Sequence, residues 1–342
     1  MDFQLLGKTG LRVSDVALGA MTFGEEWGWG ANKEDSRRIF DAYVESGGNF
    51  IDTADGYTNG TSERMVGEFT RGQRERFVIA TKYTFSSRQG DPNSGGNHRK
   101  NMMQALDGSL KRLGMDYVDL YWVHAWDRFT PVEEMMRGLD DLVRARKILY
   151  VGISDAPAWV VSYANATAHV RDWSPFVALQ IEYSLLERTP ERELIPMARA
   201  LGLTVTPWSP LAGGMLAGKY TRGSNVHEGR LAEHPFADFS DRNFDIVDVV
   251  KSVAAETGAT PSQVSLAWVR QKGTIPILGA RTLAQLKDNL ASLDVKLNAS
   301  QIERLEKISA IAPGFPGKFL NRDFVLDRLY GGTFNRIRGR EA

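Results

Sequence analysis

Eight short apolar runs recur along the chain, and a stretch with helical spacing of apolar residues follows each. The runs are Val16–Gly19, Phe50–Asp52, Phe77–Thr81, Val118–Val123, Leu149–Ile153, Val177–Ile181, Leu203–Thr206 and Thr274–Leu278. Runs of this length read as buried strands. Between them, Arg99–Leu113 places Met102, Met103, Leu106, Leu110 and Leu113 on one helical face, and Leu283, Leu286, Leu290 and Leu293 do the same near the end. Strand followed by helix, eight times over, predicts a (β/α)8 TIM barrel. A doubly wound sheet would carry Gly-x-Gly-x-x-Gly in its first strand-to-helix turn, and the sequence has none. At 342 residues, with no linker, residues 1–342 read as a single domain. Phe3–Leu6 and Leu11–Val13 flank Gly7-Lys8-Thr9-Gly10, which predicts an N-terminal β-hairpin able to plug the barrel bottom. The tail Phe315–Arg336 is apolar enough to pack over its own barrel mouth or on a neighbouring subunit of a homo-oligomer.

Three successive strands stop at an ionisable group: Asp52, Lys82 and His124, with Tyr57 in the glycine-containing loop after the first. If those strands are parallel neighbours, their C-terminal ends share one rim, and the four groups form a proton-transfer site. Taken singly, Asp52 could cap a helix, Lys82 could be a solvated strand end and Tyr57 a packed loop aromatic. As a set, they would have to coincide four times. Trp27 and Trp29 sit in the loop after the first strand, as a substrate wall or a lid packed on its own core. Tyr83–Asn97 is too long and polar for a plain connector and reads as an active-site loop. With Phe85, Trp126 and the tail, these tryptophans could wall a cleft for an aryl or otherwise bulky aldehyde or ketone.

Composition narrows the partners. With 42 basic and 42 acidic residues there is no net charge, which argues against nucleic acid or an anionic membrane and leaves small molecules or proteins. Absence of cysteine excludes disulfides, thiolate metal sites and cysteine nucleophiles, and points to the cytoplasm. The start Met1–Leu6 reads as neither signal peptide nor anchor, and no apolar run spans a bilayer. The five histidines, His98, His124, His169, His227 and His234, include no His-x-His pair, so no metal is expected. Gly213–Lys219 fits Gly-x-x-x-x-Gly-Lys, but Tyr220 replaces the Ser or Thr that would ligate magnesium.

Asn49–Tyr57, Asp119–His124, Val151–Ser154, Pro207–Leu211 and Leu278–Arg281 together make the chain resemble an aldo-keto reductase over about its whole length. It is most similar to the branch holding the aryl-alcohol dehydrogenases and potassium-channel β subunits. The resemblance implies a catalytic tetrad of Asp52, Tyr57, Lys82 and His124, in which Tyr57 is general acid for a carbonyl accepting hydride and His124 orients the carbonyl oxygen. Lys82 is expected to lower the tyrosine pKa, with Asp52 holding the lysine charged. It further implies NADP(H), with Gly19, Met21, Thr22 and Asp52 along the nicotinamide ribose, Ser154, Asp155 and Gln180 on the carboxamide, and Trp208 stacked on the ring. Ser209, Leu211, Gly213 and Lys219 would hold the pyrophosphate, and Gly279, Arg281, Gln285, Asp288 and Asn289 the adenosine end. Arg281 and Lys219 are cations suited to a 2′-phosphate. Many relatives carry asparagine at Asp155; an ionised aspartate there accepts from the carboxamide but cannot donate to it. The activity implied is reduction of a carbonyl compound. A dehydrogenase acting on a secondary alcohol, or a nucleotide-binding redox sensor, is compatible with the same four groups.

Overall fold

The computed structural model describes residues 1–220, 222 and 238–338; His227 and His234 lie outside them. An antiparallel hairpin, β1 (Phe3–Leu5) and β2 (Arg12–Ser14), precedes eight parallel strands: β3 (Ala17–Gly19), β4 (Phe50–Asp52), β5 (Val78–Tyr83), β6 (Val118–Val123), β7 (Ile148–Ser154), β8 (Phe176–Glu182), β9 (Thr204–Trp208) and β10 (Ile277–Gly279). Their order in the sheet is β10-β3-β4-β5-β6-β7-β8-β9. The Ile275 amide donates to Val205 O at 2.9 Å and brings the two ends of the sheet together. This is the expected (β/α)8 barrel. The last strand begins three residues later than the sequence suggests, because Pro276 has no N–H for the ladder.

The helices packed around the strands are α1 (Lys33–Glu45), α2 (Thr61–Phe69), α3 (Arg99–Leu113), α4 (Val132–Arg144), α5 (Ala158–Arg171), α6 (Leu194–Leu201), α7 (Asp241–Thr257), α8 (Pro261–Gln271), α9 (Leu283–Ala291) and α10 (Ala299–Ile308). Helix α5 runs well past Ala164, where the apolar pattern weakens. Asn165 accounts for the polar position: its amide donates to Phe176 O at 3.0 Å and its carbonyl accepts from the Phe176 amide at 2.9 Å, clamping the start of β8.

Two cores result. One lies between strands and helices. The other fills the barrel with Phe50, Val78, Leu120, Trp122 and Ala178, and the hairpin contributes Leu6 and Val13 to it. The hairpin is therefore the bottom plug. Its turn passes so near β8 that a Cβ on Gly7 would lie 2.3 Å from Val177 O, while the Gly7 amide donates to Thr204 Oγ1 at 2.6 Å. Gly7 also has φ +58°, so any side chain here would be strained as well as obstructed.

Beyond α10, Arg192 donates to Ala312 O at 3.0 Å, and the tail continues as α11 (Gly317–Leu320) and α12 (Asp323–Tyr330). Its packing is less complete than its apolarity suggests. Val325 is buried, whereas Phe319, Phe324, Leu329 and Tyr330 are exposed.

Candidate active site

Strand register sets the ionisable groups along one rim, each two residues beyond the pairing partner of the one before. Asp52 ends β4 opposite Gly19 and Ala80, Lys82 lies in β5 opposite Trp122, and His124 follows β6. Tyr57 opens a single 3-10 turn, Tyr57–Gly60, between β4 and α2. The chain leaves three of the strands through residues of positive φ, Thr84 (+133°), Asp155 (+44°) and Ser209 (+52°). Such conformations cost about 1–3 kcal/mol each and persist where the surroundings overdetermine them.

Lys82 is fully buried, and its ammonium meets three acceptors: Asp52 Oδ1, Thr53 O at 2.8 Å and Tyr57 Oη at 3.1 Å. An ammonium has three donors, so it is satisfied only while protonated. Burial alone would lower its pKa, but Asp52 and Tyr57 carry it above the ordinary value. Asp52 Oδ2 accepts from Gln180 Nε2 at 3.1 Å, so both carboxylate oxygens are held. Tyr57 departs from expectation. Burial pushes its phenol above the ordinary value; Lys82 pulls down as anticipated but is outweighed, and Asp52 behind it pushes up again. Burial and the nearby Lys82 charge keep the His124 pKa well below its usual value, so the imidazole is neutral at neutral pH. Its Nδ1 is buried with no partner among the described residues. The Tyr57 and His124 rings lie 5.8 Å apart at 79°.

Three loop aromatics lie against the Tyr57 and His124 rings or against one another. Phe85 packs 4.5 Å from the His124 ring, Trp27 meets Tyr57 edge-on at 6.3 Å, and Trp29 sits 5.5 Å behind Trp27. Trp126 lies elsewhere on the rim, its amide on Asp155 O and its ring 5.3 Å from Trp159.

A supporting layer was not evident from the sequence. Thr58 Oγ1 donates to Phe23 O and Ser62 Oγ to Ala20 O, both at 2.7 Å, fixing the tyrosine turn to the β3 loop. Glu63 is fully buried; it accepts from Thr81 Oγ1 at 2.6 Å and from Arg112 Nε at 2.5 Å. The signal available was the polar run Thr61-Ser62-Glu63 at the start of a short helix, which reads equally well as solvent-facing.

Asp55 lies in the same loop, and burial and the Glu63 carboxylate raise its pKa to about 7. Unfolded, it would ionise near 4. Between those values the folded state binds more protons, so this group's contribution to stability falls as pH rises from about 4 through about 7. Asp55→Asn removes the penalty. It is expected to match the parent near pH 4 and to exceed it at pH 8 by on the order of 2 kcal/mol after screening. Urea unfolding at the two pH values checks this; an equal difference at both would contradict it.

The remaining candidates fall on the same rim. Ser154 ends β7, and Trp208 ends β9 with its Nε1 donating to Asp155 Oδ1 at 3.0 Å. Thr22, one residue beyond Met21, donates to Ala280 O at 2.7 Å and ties the first loop to the last. After Trp208, Ser209, Ala212, Gly213 and Gly214 all take positive φ in a tight loop. There the Gly213 amide donates to Ser209 Oγ and the Gly214 amide to Leu211 O. A Cβ on Gly214 would come within 3.5 Å of Lys219 Nζ, so the glycines leave a cradle facing that cation. At the start of α9 the Arg281 amide donates to Gln285 Oε1, and Asn289 Nδ2 donates to Gly279 O at 3.1 Å. Asp288 is engaged with α8, accepting from Thr260 Oγ1 at 2.9 Å and Gln263 Nε2 at 2.7 Å. Neither Lys219 nor Arg281 forms an ion pair among the described residues. Two unpaired cations, a glycine cradle and a partly exposed indole fit a dinucleotide phosphate.

The parallel barrel thus gathers a lysine, a tyrosine, an aspartate and a histidine at its strand tops. Residues 15–310 match the aldo/keto reductase family, and the chain belongs to it. It is 36% identical over 334 residues to an NADP(+) aryl-alcohol dehydrogenase of Phanerodontia chrysosporium, covering 92% of this chain and 87% of that one. An aryl-alcohol dehydrogenase of Pestalotiopsis microspora is 36% identical over 321 residues, 91% of this chain and 82% of the relative. A norsolorinic acid reductase of Emericella nidulans is 37% identical over 331 residues, again 91% and 82%.

Proposed function

We propose that this aldo/keto reductase uses NADPH to reduce aldehydes and ketones, aryl or otherwise bulky, to alcohols. The observation that carries the reading is the Lys82 ammonium, shared between Asp52, Thr53 and the Tyr57 hydroxyl in a fully buried position. Bound NADPH supplies hydride to the carbonyl carbon. The chain's own part is the oxygen: negative charge developing there is quenched by the proton of Tyr57 while His124 donates one N–H to hold the oxygen in place. Lys82 donates its hydrogen bond to Tyr57 Oη and, keeping its own proton, stabilises the phenolate left behind until a proton from solvent restores the phenol.

A phenol whose pKa is raised by burial stays protonated at neutral pH and is suited to donate in reduction, while the reverse reaction on the same four groups uses the phenolate; substrate and cofactor ratio decide which way it runs. Trp208, whose Nε1 donates to Asp155, would stack on the nicotinamide. Ser154 and Gln180 would hold the carboxamide, Lys219 and the Ser209–Gly214 loop the pyrophosphate, and Arg281 with Gln285 and Asn289 the adenosine phosphate. The names of the relatives, an NADP(+) aryl-alcohol dehydrogenase among them, support the cofactor and the aryl substrate class.

The test is nicotinamide absorbance against time for the purified protein with NADPH and a panel of aromatic and aliphatic aldehydes and ketones. Oxidation of NADPH is expected with aryl members. Silence across the panel with NADPH binding retained would overturn the reading. Arg281→Ser is expected to weaken NADPH binding by roughly tenfold and NADH binding by less than about twofold, since a guanidinium–phosphate contact contributes about 1.5–3 kcal/mol. Equal weakening of both nucleotides would remove Arg281 from the 2′-phosphate.

A further inference from the structure

The long polar loop after β5 ends on Asn97, a fully buried side chain outside the four-group site. All of its hydrogen-bonding groups are engaged. Its Nδ2 donates to Thr84 Oγ1 and to Ala125 O, both at 2.9 Å, and its Oδ1 accepts from the Asp127 amide at 2.7 Å. Its own amide donates to Asp127 Oδ2 at 2.7 Å, and its carbonyl accepts from Tyr83 Oη at 3.3 Å. Ala125 O can only accept and the Asp127 amide can only donate, so the side-chain amide has one orientation.

These partners belong to the two segments that bracket His124. Thr84 follows β5, and its Oγ1 also accepts from the His124 amide at 3.3 Å, a donor shared with Tyr83 O at 2.9 Å. Ala125 is the residue after His124. One buried side chain therefore reaches the backbone on both sides of the imidazole, through Thr84 on one and at Ala125 on the other. The ring depends on such a frame, because its Nδ1 has no partner among the described residues and its direction is left to backbone and packing. Phe85, packed 4.5 Å from that ring, follows Thr84 directly and shares the anchor. Thr84 itself holds a φ of +133°, which a β-branched residue keeps only where its surroundings overdetermine it.

We propose that Asn97 is a positioning residue of the reaction: through Thr84 and Ala125 it fixes the backbone of His124, and so the direction in which the imidazole N–H points at the carbonyl oxygen. The assignment rests on the reductase reading for the role of His124, but the placement of the ring can be read without turnover.

A double-mutant cycle decides it. Asn97→Ala is expected to lower kcat/KM for the fastest aldehyde of the panel by roughly a hundredfold, the loss that a misplacement of about 1 Å brings. In a His124→Ala background the same substitution is expected to cost less than about twofold, since the residue it acts through is gone. Equal falls in the two backgrounds, or no fall in the first, overturn the proposal. The second measurement is the proton NMR spectrum of the imidazoles without substrate, with the His124 resonances assigned by their absence from His124→Ala. They are expected to shift or broaden in Asn97→Ala while those of His169, on α5, stay in place. Unmoved His124 resonances overturn the proposal. Thr84→Val, which keeps the side chain's shape and removes only the shared oxygen, gives the same two readings if Asn97→Ala does not fold. If the parent reduces no aldehyde, the reductase reading fails, while the imidazole spectrum still decides whether Asn97 sets the ring.

Discussion

Tyr57→Phe is expected to lower kcat/KM for aldehyde reduction by roughly 10³- to 10⁴-fold while the Kd for NADPH changes by less than about twofold. The variant removes one oxygen atom from a site where that oxygen's contact with the protein is the 3.1 Å hydrogen bond from Lys82. The ammonium keeps Asp52 and Thr53, so the fold and the nucleotide residues on the other strands are undisturbed. What is lost is the proton for the developing alkoxide. The parent's pH behaviour separates this role from mere packing. With the Tyr57 pKa raised, reduction should stay level from about pH 6 to about pH 9, because the phenol is protonated throughout, whereas alcohol oxidation should climb over the same range. His124, neutral across that range, adds no inflection. A Tyr57→Phe protein that keeps a tenth or more of the parent rate would rule out the tyrosine as the acid.

The barrel and the four groups were legible because both depend on short-range sequence. An apolar run that stops at Asp52, Lys82 or His124 announces a strand and places its last side chain at the rim, and parallel neighbours in register do the rest. The α3 and α8 boundaries follow from apolar spacing ended or begun by residues with local preferences, Gly114 at the end of one and Thr260-Pro261 at the start of the other. What could not be read was set by long-range contacts. The sign of the Tyr57 shift depends on how deeply the phenol is buried against how near Lys82 comes, and residue types alone do not weigh one against the other. Glu63 looked like an ordinary surface glutamate of a short amphipathic helix; only the approach of Thr81 and of Arg112 from α3 makes it an interior acid. Asp155 read as a cofactor contact, and in the structure its carboxylate accepts from the Trp208 indole, a contact across 53 residues of chain. Helix α5 continues through Asn165, polar and unsuited to a helix interior, because that residue is held by its bonds to Phe176.

Lys82→Met is expected to abolish turnover and also to destabilise the protein by about 3–5 kcal/mol, whereas Asp52→Asn in the same chain should return most of the stability and none of the activity. Removing the ammonium leaves Asp52, itself buried, as an uncompensated charge whose other oxygen has Gln180 alone. That stranded charge is the cost, so neutralising it is the remedy; a buried ion pair replaced on both sides is often close to neutral in stability. Activity does not follow stability here. In the double variant nothing positive stands beside Tyr57, burial raises the phenol unopposed, and the hydrogen bond that orients its hydroxyl is gone. Urea unfolding at neutral pH, read together with NADPH oxidation for the parent, both single variants and the double variant, separates the two effects. If Asp52→Asn fails to restore the Lys82→Met protein, the lysine's contribution lies in packing its four-carbon stem and not in its charge, and the coupling between fold stability and catalytic electrostatics argued from the three-acceptor junction would have to be abandoned.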